Sequence, residues 1–209
     1  MNDSGKVDII QARPDRGERA AQLIYATAPP LFDYLYGADA AFRTRIMALQ
    51  WQAGEGFLSH CHAMTAYGPG GDLLGIELGF DNKAEGAAFA ASAEFVTKHA
   101  TAAQQQHIAK AMHGIAYMTP HTPDRNYCIH HLAVSDADQA KGLGRRLLEG
   151  AFQRAKAVGY KSVCLDVLAN NPAVGFYSHV GMYLACEIRV PDLAEQHGFP
   201  PVYRMVRDL

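Results

Sequence analysis

Gln139, Lys141, Gly142, Gly144, Arg145 and Arg146 stand close together in the run Gln139-Ala140-Lys141-Gly142-Leu143-Gly144-Arg145-Arg146. Glycines among cations suit one task, holding an anion against the backbone. A glycine has no Cβ to keep a phosphate away, and it takes dihedrals that other residues avoid. With Lys141, Arg145 and Arg146 supplying positive charge, the set suits a pyrophosphate. Glycines also make plain turns before helices, and this run alone does not separate the two readings. Three further side chains nearby can move protons. His130 or His131 can accept one near neutral pH, and the Tyr177 phenol can donate one. Glu77 and Asp166 are other candidate bases that sequence does not place.

These residues need elements to position them. Tyr127 to Val134 is a short apolar run between polar clusters, which favours a strand. Beyond Gly144 the apolar residues Leu143, Leu147, Leu148, Ala151, Phe152 and Ala155 fall on one helical face. Gly159 would cap that helix, and Arg154 and Lys156 suit its negative pole. The glycine run therefore lies where a strand passes into a helix N-terminus, whose first N–H groups lack internal partners. Two familiar phosphate loops fit poorly. A dinucleotide fingerprint wants a third glycine where Leu147 stands, and a P-loop wants Ser or Thr after a lysine where Arg145-Arg146 stand. Downstream, Val163, Leu165 and Val167 alternate along another strand. Pro172 then suits the first turn of a short helix, capped by Asn171 or Asn170 and ended by Gly181.

Gln-x-x-Gly-x-Gly after a Leu132-Ala133-Val134 strand, then Asn170-x-x-Ala173-x-x-Phe176-Tyr177 and Gly181-Met182, resembles the GNAT superfamily of acetyl-CoA-dependent N-acetyltransferases. The resemblance is strong over 127–188, weaker over 7–79 and absent from 81–125. It implies that Gln139, Lys141, Gly142, Leu143, Gly144 and Arg145 hold the CoA pyrophosphate. It also implies that Leu132, Ala133 and Val134 run beside the pantetheine arm. The Val134 N–H would polarise the thioester carbonyl. Asn170 and Ala173 would lie near the far arm of the cofactor, and Tyr177 would protonate the leaving thiolate. The implied reaction is acetyl transfer from acetyl-CoA to a small-molecule or peptide amine. No cysteine stands in the motif, which favours direct attack by the amine. A longer acyl-CoA at the same site, or a CoA-binding sensor or scaffold without turnover, remain the rival readings.

Some enzymes of that family use a His or carboxylate on the motif strand as base. Strand alternation would put only one of His130 and His131 on the cofactor side unless a bulge re-aims them. The family geometry makes a bulge here the expectation, and His130 is the favoured base. The plain alternative is that both are sheet residues.

The 209 residues are read as one α/β domain, able to bury a core without staples. The expected fold is a GNAT-like mixed twisted sheet with helices on both faces and a helical insertion over 81–125, before the motif strand. A formal net charge of −2 gives no bulk attraction to nucleic acid or to an anionic membrane. No run approaches the roughly 20 apolar residues that span a bilayer, and Met1 to Lys6 resembles no signal-peptide core. A cytoplasmic location is expected. Cys61, Cys128, Cys164 and Cys186 lack metal-site spacing, and Cys128 and Cys164 are expected as buried thiols.

The rest of the chain offers less. Val7 to Gln11 reads as a strand, 17–26 and 38–52 as helices. Leu31 to Gly37 is either an amphipathic turn plugging the core or part of the acceptor pocket, with Asp33, Tyr34 and Tyr36 as its polar groups. Phe57 to Tyr67 reads as a strand with His60 and His62 on one face, more plausibly sheet surface or pocket wall than metal ligands. A hairpin through 68–72 leads to a strand over 73–79. In the insertion, 84–98 and 101–118 read as helices that pack on this chain, join a second copy in a homodimer, or touch substrate. After Tyr183 to Ile188 a polar loop precedes a last strand over 202–206.

Overall fold

The computed structural model describes residues 7–135 and 142–209. Among them, seven strands form one sheet. They are β1 (Asp8–Gln11), β2 (Ala63–Tyr67), β3 (Leu73–Asp81), β4 (Asn126–Val134), β5 (Ser162–Leu168), β6 (Tyr183–Ile188) and β7 (Val202–Asp208). The spatial order is β1-β2-β3-β4-β5-β7-β6. Every neighbouring pair is antiparallel except β4 and β5. The helices are α1 (Gly17–Thr27), α2 (Pro29–Tyr36), α3 (Ala40–Gln52), α4 (Asn82–His99), α5 (Ala102–Ile115), α6 (Leu143–Val158), α7 (Ala173–His179) and α8 (Pro191–His197).

Local chemistry sets the helix starts. The Asp39 carboxylate accepts from Phe42 N–H at the head of α3, and Asp81 accepts from Ala84 N–H at the head of α4. Thr101 and Gln104 form a reciprocal capping box on α5. Helix α6 starts after Gly142 and stops at Gly159, both left-handed, and it buries the six residues of its apolar stripe.

The sheet has a core on each face. On one face, Ile76, Leu78 and Phe80 of β3 pack with Ala20, Leu23 and Ile24 of α1 and Phe42, Ile46 and Trp51 of α3. On the other, Leu148, Ala151 and Phe152 of α6 pack with Ile129 of β4, Val163, Leu165 and Val167 of β5, and Tyr177 of α7. The fold is mixed α/β with helices on both faces, as the sequence suggests.

Three local readings are corrected. Phe57 to His62 is not strand. His60–His62 is a single 3₁₀ turn capped by Ser59, and β2 begins only at Ala63. His60 and His62 therefore share no strand face. His60 Nδ1 contacts the Trp51 carbonyl at 2.8 Å, and the His62 ring lies 4.6 Å from that of Phe80. The polar loop before the last strand contains α8, started by Pro191. Arg154 does not serve the end of α6; it reaches across to Glu77 on β3. Two helices do fill most of 81–125. Helix α4 lies against α3 and β3, and α5 against α2. Cys128 and Cys164 are buried free thiols.

Candidate active site

Strands β4 and β5 pair only through Asn126–Ile129 and Ser162–Leu165. Beyond that, β4 stays with β3 as far as Val134, and β5 stays with β7 as far as Leu168. The two central strands thus part company from His130 and Asp166 onward, and one edge of β4 opens. The direction of the Val134 N–H follows from alternation. Ser135 N–H donates to Leu74 O on β3 (2.8 Å), and the Ala133 carbonyl also faces β3, 3.0 Å from where a Gly75 Cβ would sit. Val134, between them, directs its N–H to the open edge.

The register shows a bulge at the point of parting. Leu78 pairs with His131 and Gly79 with Ile129, which leaves His130 as the extra residue. Gly79 permits it. A Cβ there would lie 2.6 Å from the Cys128 carbonyl and 2.7 Å from the Tyr127 ring. The extra residue breaks alternation, so both histidines turn to the α1–α5 face while Ile129, Leu132 and Val134 face α6.

The two imidazoles then meet different surroundings. The Thr27 hydroxyl donates to Ile24 O (2.7 Å), so it accepts from His131 Nδ1 at 3.0 Å. This fixes the His131 proton on Nδ1. Burial, aided by the neighbouring His130, pulls its pKa down to about 3, so His131 stays neutral. His130 Nε2 lies 3.2 Å from Glu85 Oε1 of α4, with the ring edge-on to Phe57 (4.8 Å) and Phe80 (5.6 Å). That contact is off the line of a linear hydrogen bond. It is an ion-pair approach rather than a hydrogen bond. Burial works to raise the Glu85 carboxyl, but His130, Thr122 and Arg204 together hold it below its ordinary value.

Tyr177 approaches from the opposite face. It is buried in the α6 cluster, against which Leu132 and Ala173 also pack. Burial pushes its phenol up to about 12, so it keeps its proton. The α6 N-terminus closes the end of the opening. Gly142 has φ +72 with nothing within 4 Å of a would-be Cβ, and a Cβ on Gly144 would lie 3.6 Å from Val134 Cγ2. The first α6 turn, whose N–H groups have no partner within the helix, thus sits beside the end of β4. Gln139 and Lys141 lie outside the described residues. The Arg145 side chain turns along the helix to Glu149 (2.8 Å), and Arg146 donates to Val7 O (3.0 Å). Leu143 is buried under the helix. The Asn171 side chain accepts from Ala173 N–H (2.9 Å) at the start of α7, with Asn170 beside it.

Asp33, Tyr34 and Tyr36 lie on α2, a helix rather than a turn, and they diverge. Asp33 is exposed and paired with Arg43 (2.6 Å). Tyr34 packs against His197 and Phe199. Tyr36 points into the core, where burial pushes its phenol up to about 12 despite the Gln50 hydrogen bond. Of the other two carboxylates, Glu77 is fully buried on the α6 face between Arg154 and the Tyr127 hydroxyl (2.9 Å). Asp166 is held by two Arg204 hydrogen bonds of 2.5 and 2.8 Å.

Sequence reasoning missed Thr27, Phe32, Phe57 and Glu85, which surround the two histidines. Only Glu85 carried a signal, as an acid in the first turn of a helix, and that is an ordinary position for one.

Comparison with known proteins bears on the fold. The family model described as Acetyltransferase (GNAT) family matches residues 90–182. The match begins inside α4, within the stretch where sequence motifs showed no resemblance, and stops before β6. Among curated proteins, none matches. Among solved structures, an N-acetyltransferase from Staphylococcus aureus Mu50 is 15% identical with TM-score 0.72, over 96% of this chain and 100% of that one. A crystal structure titled simply as an acetyltransferase is 18% identical with TM-score 0.71, over 96% and 98%. A mosquito arylalkylamine N-acetyltransferase-like protein is 16% identical with TM-score 0.59, over 98% and 100%. The fold is that of the GNAT acetyltransferases, and with the family match it supports a transferase enzyme carrying out acyl transfer.

Proposed function

We propose, from the premise of a GNAT fold with a GNAT family match over 90–182, that the protein moves an acetyl group from acetyl-CoA to an amine by direct attack. One observation carries the reading. The open edge of β4, where β5 leaves it, presents the Val134 N–H beside the α6 N-terminus, where Gly142 and Gly144 carry no Cβ. The site fits an extended anionic cofactor. Leu132, Ala133 and Val134 would line its arm, and the Gly142–Arg145 turn, with Gln139 and Lys141, would hold its phosphates through free N–H groups. Asn170 and Ala173 would flank it at the head of α7. Bound acetyl-CoA supplies the activated acetyl group as a thioester.

This chain's residues divide the remaining work. Val134 N–H stabilises negative charge growing on the carbonyl oxygen. His130 takes the proton of the attacking amine, and the neutral, locked His131 leaves that task to it. Tyr177 keeps its proton until a thiolate needs it. Acid and base thus flank the opening from opposite faces of the sheet. The chain acts as one domain, with 81–125 as an inserted cover on the histidine side. Among the described residues no helix is long and apolar enough to cross a membrane, and we place the reaction in the cytoplasm with a small-molecule or peptide amine as acceptor.

The test is acetyl-CoA binding by calorimetry with ATP as control, followed by release of free CoA thiol on adding tyramine, agmatine or a lysine peptide. Binding near micromolar, about −8 kcal/mol, with thiol release from at least one amine is the expected result. Folded protein that binds no acetyl-CoA overturns it.

A further inference from the structure

Helix α4 brings one carboxylate to the histidine pair. Asp81 caps the helix, which sets Glu85 in its first turn and over β4. Both partners of the contact are well covered, with 14% of the His130 side chain and 19% of the Glu85 side chain exposed. We propose that Glu85 is a positioning residue for the transfer reaction, fixing the His130 proton on Nε2 and balancing the charged ring while Nδ1 takes the proton of the acceptor amine. This rests on the reading of His130 as base.

The chemistry follows from the types of group in contact. A carboxylate held ionised only accepts, so the ring nitrogen facing it carries the proton. The lone pair is then on Nδ1, the ring nitrogen that does not face Glu85. When Nδ1 is protonated the ring becomes a cation in a half-buried aromatic setting of Phe57 and Phe80. An adjacent carboxylate offsets the cost of that charge. Other charged or titratable groups lie around the pair and do not replace Glu85. Arg204 of β7 is balanced by Asp166 of β5, His131 stays neutral, and Cys128 and Cys164 lie buried on the paired part of β4 and β5.

Atoms and protons balance over the reaction. The amine nitrogen bonds to the acetyl carbon and the carbon–sulfur bond breaks. The amine proton goes to His130 Nδ1, and the thiolate takes the Tyr177 proton. The His130 proton then returns through solvent to the tyrosinate. Glu85 keeps its charge throughout and never touches a reacting atom.

The experiment compares pH profiles of kcat/KM for wild type, Glu85→Gln, Glu85→Asp and His130→Gln, using whichever of tyramine, agmatine and the lysine peptide turns over fastest. Gln retains one accepting oxygen, exchanges the other for an NH2 donor and removes the charge. Glu85→Gln is expected to move the acid limb down by roughly one pH unit and to lower the plateau about tenfold, with the KM for acetyl-CoA unchanged. Glu85→Asp should lie between, and His130→Gln should abolish the limb. If Glu85→Gln overlays wild type while His130→Gln abolishes the limb, the positioning role is overturned and the base reading stands. If His130→Gln keeps both limb and rate, the base reading itself fails. A measurement on unmutated protein guards against misfolded variants. The ¹⁵N shifts of the His130 ring at pH 8 should report the Nε2–H tautomer, and an Nδ1–H tautomer overturns the proposal.

Discussion

Glu77 and Glu85 lie eight positions apart along one stretch of chain and show how placement divides similar carboxylates. Glu77, on β3, faces α6 and is closed in. Arg154 and the Tyr127 hydroxyl occupy it, and no part of its side chain is exposed. Glu85, one helical turn into α4, faces the opposite side of the sheet and has the His130 imidazole as its partner. Burial raises Glu77 to about 7, against the pull of Arg154 and Tyr127. Glu85 is held below its ordinary value by His130 and its neighbours in spite of burial. A perturbed carboxyl is therefore no guide to chemistry here. The more perturbed of the two is sealed into the packing, and the one beside the opening remains an ordinary anion.

The largest test of that contrast removes the cation from the closed site. Arg154→Ala leaves Glu77 buried without its counter-charge and should cost about 3–5 kcal/mol of stability at pH 8, read from urea midpoints. The loss should shrink at pH 5, where Glu77 can protonate. Turnover per folded molecule should hold, and a collapse of kcat in folded protein would move Glu77 into the active site.

The pH dependence of stability comes next. The folded-state pKa of Glu77 is about 7 and the ordinary value is 4.5. The folded protein therefore binds the extra proton between them, and stability falls as pH rises through that window. The shift corresponds to about 3 kcal/mol. Glu77→Gln should remove this slope between pH 4.5 and 7, as urea titrations at several pH values would reveal. Parallel slopes in both proteins would exclude Glu77 as its source.

Gly79→Ala acts on the feature that sends the histidines one way and Glu77 the other. A Cβ there meets the Cys128 carbonyl and the Tyr127 ring. The expected cost is about 2 kcal/mol, with kcat falling further than any change in acetyl-CoA affinity. Unchanged thermal stability would mean the bulge tolerates a side chain. The smallest effect belongs to Thr27→Val, which takes away the acceptor of His131 Nδ1–H and the bond to Ile24 O. About 1 kcal/mol should be lost, with the position of the acid limb retained because His131 is not the titrating base. A displaced limb would bring His131 into the proton path.

Much of the β4–α6 unit was legible in the chain. The stripe of α6 and the two glycines bounding it read directly, because helical period and left-handed caps are local properties. The surroundings of α2 were not. Asp33, Tyr34 and Tyr36 are adjacent in sequence and look like one pocket, yet on a helix they point to solvent, to α8 and to the core. The bulge at His130 was an expectation of family likeness. Its cause is the close approach of Gly79 to the next strand, which only pairing brings about.

By itself the sequence determined the β4 strand, the α6 helix with the glycines that bound it, and their apolar faces, since each depends on neighbours within a few positions. Tertiary structure alone decided where β4 and β5 part, which face each histidine takes, and that Glu85 rather than Glu77 or Asp166 meets His130. Those outcomes depend on strand register and on helices from distant parts of the chain, and no local pattern of residue types encodes a register.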